Sequence, residues 1–232
     1  MNTEQLAVSR RNSLRARAAG PEQAARNSTA SVLEQRQGHL AIHLNRAIDL
    51  VGVILLAVAL AIPMLLIAIL IKLTSRGPAL YWQERTGLNG RPFVMFKFRT
   101  MCVDAEQRSG PVWAKRGDPR RTWIGVLLRR SSLDELPQLI NVLRGEMSLV
   151  GPRPERPFFV QSFSERMPDY NRRHQVLPGI TGWAQINGWR GDSSIEKRLE
   201  CDLYYVDNWS VPLNLRILLL TPFKVLIERN AC

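Results

Sequence analysis

The sequence predicts an α+β protein, predominantly helical, held to one side of a membrane by a re-entrant broken helix and carrying a small globular domain with a short β-hairpin. Three observations predict it. Residues 50–71 form a run of 22 without a charge, with Pro63 near its middle. Asn89-Gly90, a turn dipeptide, precedes a segment with apolar Phe93, Met95, Phe96 and Phe98. Leu133, Leu136, Leu139, Ile140 and Leu143 recur at helical spacing.

Residues 1–44 read as a mobile basic arm: they hold Arg, Ala, Gln, Asn and Ser, with no aromatic side chain to anchor a core. Residues 45–73 read as the membrane element. The uncharged run is long enough, at roughly 1.5 Å per residue, to cross about 30 Å of hydrocarbon. It begins too far into the chain for a signal peptide. Arg36 and Arg46 precede it and Lys72 and Arg76 follow it, so the positive-inside rule marks neither flank as translocated. Pro63 removes a backbone donor and clashes with the carbonyl of Ala59. A helix that enters, turns at Ile62-Pro63 and leaves on the same side satisfies both facts; the competing reading is a kinked single span, since membrane helices tolerate proline.

Residues 74–232 read as one globular domain, because 232 residues leave room for a single core and an appendage. Tyr81 and Trp82 suit a membrane interface. Residues 91–101 predict a strand or hairpin, and residues about 133–143 an amphipathic helix. Residues 212–227, apolar with Arg216 and Lys224 interspersed, predict a helix on the membrane surface or in the core. The charge balance, 32 Lys plus Arg against 20 Asp plus Glu, favours polyanionic partners: nucleic acid, acidic lipid or phosphorylated small molecules. Cys102, Cys201 and Cys232 are too scattered for a disulfide framework or zinc site, and the three histidines make no metal cluster.

The chemistry concentrates around Ser131-Ser132-Leu133-Asp134-Glu135-Leu136-Pro137. Ser132 with Glu135 fits a capping box, which places Asp134 in a first helical turn where the dipole keeps it ionised. The pair then either caps a helix or divides labour, one carboxylate as nucleophile or metal ligand and the other as its partner. Cations gather in nearby motifs, as phosphoryl transfer requires. Lys97 and Arg99 would share one face of a strand. Arg129 and Arg130 lead into the box, and Arg153 stands between Pro152 and Pro154 on a stiff backbone. Residues 178–191 carry four glycines and two tryptophans, either a ligand loop of backbone amides or a structural turn. His174 beside Arg172 and Arg173 reads as a basic face. Any metal is a hard, oxygen-bound ion such as magnesium, held by Asp134 and substrate phosphates.

From about Asn45 to Leu226 the chain resembles the bacterial sugar transferases, the monotopic polyprenyl-phosphate phosphoglycosyl transferases. Lys-Phe-Arg-Thr-Met at residues 97–101, Leu-Asp-Glu-Leu-Pro-Gln at 133–138, Gly-Pro-Arg-Pro at 151–154 and Pro-Gly-Ile-Thr-Gly-Trp-Ala-Gln at 178–185 carry the resemblance. It implies Asp134 as nucleophile with Glu135 as partner, and magnesium (Mg2+) at Asp134. It also implies Lys97, Arg99, Arg129, Arg153 and Arg190 on phosphate or nucleotide, and a membrane helix broken at Pro63. The implied reaction moves a sugar 1-phosphate from a UDP-sugar to undecaprenyl phosphate, releases UMP, and starts exopolysaccharide or related glycan synthesis. The partners are then the UDP-sugar, undecaprenyl phosphate and membrane lipids, with no nucleic acid; a homodimer is left open. The catalytic domain would lie on the cytoplasmic face of the bacterial inner membrane. Asn45-Arg46 replaces the family's frequent Lys-Arg pair. The rival functions are a membrane-tethered basic binding module and a nucleotide-sugar hydrolase, both of which lack transfer to a lipid.

Overall fold

The computed structural model describes residues 38–103, 105, 112, 117–191 and 193–227. The N-terminal arm up to residue 37 lies outside the described residues. The first element, α1, spans His39–Thr74, 36 residues, and so begins six residues before the expected start of the membrane segment. The break expected at Pro63 does not end the helix, which continues through it. Proline orphans one carbonyl, whereas ending a helix there orphans up to four N–H and four C=O groups, so an apolar segment keeps its backbone better satisfied by staying helical.

The hairpin follows as expected. Strand β1 (Leu80–Thr86) pairs antiparallel with β2 (Pro92–Phe98), from Leu80 opposite Phe98 to Thr86 opposite Pro92. Asn89 adopts φ 57° in the connecting turn, a conformation asparagine tolerates. Helix α2 (Trp123–Ser131) is N-capped by Thr122, whose hydroxyl accepts from the Gly125 N–H at 3.0 Å. It ends at Ser132, in the left-handed region at φ 58°.

The helix expected over residues 133–143 is two pieces, a 3₁₀ segment Leu133–Gln138 and α3 (Leu139–Arg144). Pro137 disfavours α geometry in the residue before it and supplies no donor. Arg46 of α1 donates to the carbonyls of Val142 and Leu143 at 2.7 and 3.0 Å, satisfying the end of α3. Two three-residue strands, β3 (Ser148–Val150) and β4 (Gly179–Thr181), pair in parallel. Between them lie α4 (Pro157–Arg166) and a 3₁₀ segment Tyr170–Gln175. Helices α5 (Trp183–Ile186), α6 (Ile195–Asp207) and α7 (Val211–Ile227) complete the chain.

Both halves of α1 contribute to the interior. Val53 packs with Met95, Leu139, Val142, Leu149 and Ile217; Ile67 and Ile71 pack with Phe98, Ile124 and Leu128. Asp49, buried, accepts from the Ser148 hydroxyl and the Leu149 N–H, both at 3.0 Å. The opposite face of the helix, including Ile54, Leu55, Val58, Ile62 and Leu66, is exposed. By length and composition α1 suits a membrane.

Candidate active site

Asp134 and Glu135 sit in the 3₁₀ segment after α2, and β2 packs against that segment, so a strand side chain meets a helical carboxylate. Lys97, across from Tyr81 in the hairpin, donates to Glu135 Oε1 at 3.1 Å. Arg153 donates to Glu135 through both terminal nitrogens, Nη1 to Oε2 at 3.0 Å and Nη2 to Oε1. This fork-to-fork geometry is the strongest form of an arginine–carboxylate contact. Arg129 donates from Nε to the Thr100 hydroxyl at 2.9 Å. Arg190 donates to the Ser132 hydroxyl at 3.0 Å. Asp134 has no hydrogen bond or ion pair among the described residues, although it is 6% exposed.

All of these except Ser132 line one cavity of about 520 Å³, a size that suits a nucleotide-sized ligand. Among its described lining residues nine are Lys or Arg and three are carboxylates, so the cavity attracts anions.

The two adjacent carboxylates titrate in opposite directions. Burial, then the charge of Glu135, pushes Asp134 up to about 6 against the pull of Lys97, Arg129 and Arg153. Burial opposes ionisation of Glu135 as well, but Arg153 and Lys97 override it and hold its carboxyl well below the usual range. Burial lowers the Lys97 ammonium to about 8, with Glu135 resisting, so it remains mostly cationic at neutral pH. The expected capping arrangement, with the dipole favouring ionisation, gives way to a carboxyl whose proton affinity is raised by burial, although at neutral pH it remains mostly ionised. Ser132 caps nothing with its side chain, because its left-handed backbone turns the hydroxyl to Arg190.

Arg99 also departs from its expected place. Strand β2 ends at Phe98, and the Arg99 guanidinium donates to the carbonyls of Ser75 and Arg76 at 2.9 and 2.6 Å and to the Ser75 hydroxyl at 2.6 Å. It closes the end of α1, although its side chain still borders the cavity. Arg153 is first the partner of Glu135. Arg129 keeps both terminal nitrogens without partners among the described residues, and with Lys97 and Arg190 it is a cation able to meet phosphate.

Behind this layer stands a buried ionic network. Glu155 accepts from Arg198 at 2.7 Å and lies 3.5 Å from Arg85. Arg173 pairs with Asp202 at 2.6 Å and donates to the Arg153 carbonyl at 2.8 Å. Arg85 donates to the Pro154 carbonyl at 3.1 Å. The backbone at Arg153 and Pro154 is thus held in place. Arg173 and His174 are buried rather than a basic face; burial and the charge of Arg173 lower the imidazole to about 3, so it is neutral.

Gly179 and Gly182 serve close backbone approach. A Cβ on Gly179 would lie 2.0 Å from the Gly151 nitrogen, and one on Gly151 would lie 2.2 Å from the Leu177 carbonyl oxygen. At Gly179 and Gly182 the structural reading of that loop applies, while Arg190 and Gly191 at its end line the cavity.

The model of the bacterial sugar transferase family matches residues 40–228, from the first turn of α1 to just past the end of α7. The chain belongs to the bacterial sugar transferase family. Among bacterial sugar transferases it is 49% identical over 193 residues to an undecaprenyl-phosphate glucose phosphotransferase of Komagataeibacter xylinus, covering 80% of this chain and 36% of that protein. It is 45% identical over 192 residues to a UDP-glucose:undecaprenyl-phosphate glucose-1-phosphate transferase of Escherichia coli (strain K12), covering 81% of this chain and 41% of the relative. A protein of the same description from Caulobacter vibrioides is 45% identical over 192 residues, with 80% and 71% covered. The chain thus spans less than half the length of the first two relatives. In this bacterial sugar transferase the network of Glu155, Arg198, Arg173 and Asp202 had one legible trace, the carboxylate that directly follows Gly-Pro-Arg-Pro. The network's ion pairs Arg173–Asp202 and Glu155–Arg198 join residues 29 and 43 positions apart, beyond any local pattern.

Proposed function

We propose that the chain moves a sugar 1-phosphate from a UDP-sugar to undecaprenyl phosphate at a membrane surface, through a covalent intermediate on Asp134. The observation that carries this reading is the contrast within the pair: Glu135 is held by two cations, while Asp134 faces a cationic cavity with no partner among the described residues. In the first step an Asp134 oxygen attacks the phosphorus bearing the sugar. The bond from that phosphorus to the bridging oxygen breaks, and UMP leaves with the electron pair. An oxygen of the lipid phosphate then attacks the same phosphorus, and the Asp134 oxygen leaves as carboxylate. Raised basicity makes Asp134 the better nucleophile of the two, and at neutral pH most of it is still ionised. Glu135 acts as an anchor for Lys97 and Arg153, since a carboxyl held so far below its usual range is a poor proton carrier. Arg129, Lys97 and Arg190 meet the phosphate oxygens. The named activities of the relatives support this assignment, and starting exopolysaccharide or related glycan assembly is the role that fits it.

Magnesium fits the same place. A buried carboxylate without a partner among the described residues, beside a cationic cavity that suits a nucleotide, fits a hard cation that takes one protein carboxylate and substrate phosphates. Asp134 would hold it, while both oxygens of Glu135 are engaged. When bound, the ion neutralises charge on the phosphate oxygens.

Both halves of α1 pack on the same globular body, which supports a topology with both ends of α1 on one side of the membrane; the proposed side is the cytoplasmic face of the inner membrane. Labelling of His43→Cys and Ser75→Cys from that face tests the topology: both sites should react there, and reaction from opposite faces refutes it.

The activity is tested by UMP release from UDP-glucose and other UDP-sugars by membranes containing the protein, with and without undecaprenyl phosphate. The lipid should receive the phosphosugar, and Asp134→Asn should abolish both release and transfer. Equal rates in that variant remove Asp134 from the mechanism. Free sugar phosphate as the product would identify a hydrolase, and absence of turnover in the wild type a binding module.

A further inference from the structure

A second cavity, of about 200 Å³, adjoins the first and shares Glu135 and Arg190 with it, so one wall of the carboxylate site is also a wall of this space. Its remaining lining is mainly hydrocarbon: Leu56 and Leu60 from α1, Leu139, Leu149, Ile180, and Leu218 from α7. The few polar groups there are committed. Thr181 and Thr221 bring their hydroxyls within 2.9 Å, Thr221 donates to the Ile217 carbonyl at 2.7 Å, and Gln185 donates to the Ile180 carbonyl at 2.8 Å. Two cations border it: Arg190, and the exposed Lys224, which has no partner among the described residues. Leu56 is itself exposed on the apolar face of α1, so this space is continuous with the face that suits lipid.

Hydrocarbon walls leave the hydroxyls of a sugar or the edges of a base unpaired, which disfavours a second nucleotide subsite. The same walls with cations alongside suit an amphiphile with an anionic head and an apolar chain. The cavity is too small for a whole long-chain lipid, so it takes only the part next to the head. We propose that it binds the isoprene units adjoining the phosphate of the polyprenyl acceptor, with Arg190 and Lys224 meeting that phosphate. This rests on the transferase reading and deepens it. Donor and acceptor then reach the carboxylates from opposite sides of the wall formed by Glu135 and Arg190. The lipid-linked product withdraws along α1 without passing through the nucleotide cavity.

Filling the cavity with Leu218→Trp should raise KM for undecaprenyl phosphate by on the order of tenfold more than it changes KM for the UDP-sugar. A phosphate with only two isoprene units should show the same selective rise, because the units next to the head occupy the cavity. Equal changes in the two constants, or no change in that for the lipid, overturn the proposal. A second measurement needs no variant. Undecaprenyl phosphate carrying a diazirine on its first isoprene unit, photolysed with the wild-type protein in nanodiscs, should label α1 around Leu56 and Leu60 or α7 around Leu218. Labels confined to other segments overturn it. Exchange of labelled UMP into UDP-sugar, which needs no lipid acceptor, tests the transferase reading separately.

Discussion

Asp134 and Glu135 are neighbours of nearly equal burial whose difference is decided by who stands opposite each. Glu135 faces Lys97 and Arg153, so its charge is compensated; Asp134 meets its cations at longer range and carries the repulsion of Glu135. The sign of the consequence is definite. A carboxyl raised from 3.8 to about 6 binds its proton more tightly in the fold, so stability from this group is full below about pH 4 and is lost as pH rises towards 6. Asp134→Asn should therefore be the more stable protein at pH 7.5 in metal-free buffer, by on the order of 1–3 kcal/mol, and the gap should close towards pH 4 in thermal unfolding. Activity should move the other way, with UMP exchange falling as pH drops through about 6; bound magnesium shifts that limb downward because it favours the ionised carboxylate. Arg153→Ala leaves Glu135 buried with one cation fewer and should cost on the order of 3 kcal/mol, read from the shift in denaturant midpoint. The Asp-Glu pair and the surrounding cations were legible because phosphate chemistry needs those residue types together. Which acid is free was not, because it depends on a left-handed Ser132 and on Arg153, 18 residues further along the chain.

At the scale of elements, the long apolar helix, the hairpin with its Asn89 turn and the apolar last helix carry patterns many residues long, and each is found where those patterns lie. The strands β3 and β4 are three residues each, too short to show alternation, and their pairing joins positions 31 residues apart. What they leave in the sequence is glycine. The Gly151 N–H donates to the Thr181 carbonyl at 2.9 Å and the Gly179 N–H to the Pro152 carbonyl at 3.0 Å, so the backbones meet with no room for a side chain. Gly179→Ala must displace backbone rather than a flexible side chain, and should destabilise by at least about 2 kcal/mol in the same denaturant assay. Activity should fall with it, since this crossing carries Pro152 and Arg153 into the site. Arg99 illustrates the converse error: alternation with Lys97 implied a shared face, but the strand stops one residue short and the helix end nearby takes the guanidinium.

For the whole molecule, the decisive feature is that α1 belongs to two environments along its length. Val53 and Ile71 are fully buried in the globular body, each burial contributing roughly 1.5–3 kcal/mol, while the opposite face offers leucine and isoleucine to lipid. Sequence hydropathy registered the second role and was silent on the first, because a side chain turned to a protein core and one turned to acyl chains are equally apolar. Asp49, a lone acid at the edge of the run, is the residue whose bonds to Ser148 and Leu149 bind α1 to β3. The globular body is therefore not separable cargo on a detachable anchor. A chain beginning at Ser75 would lose Asp49, Val53, Ile67 and Ile71 together, and should elute from size exclusion as aggregate even where the full chain in detergent runs as a discrete species. Grafting this body onto a foreign membrane helix should fail in the same way unless those four side chains travel with it.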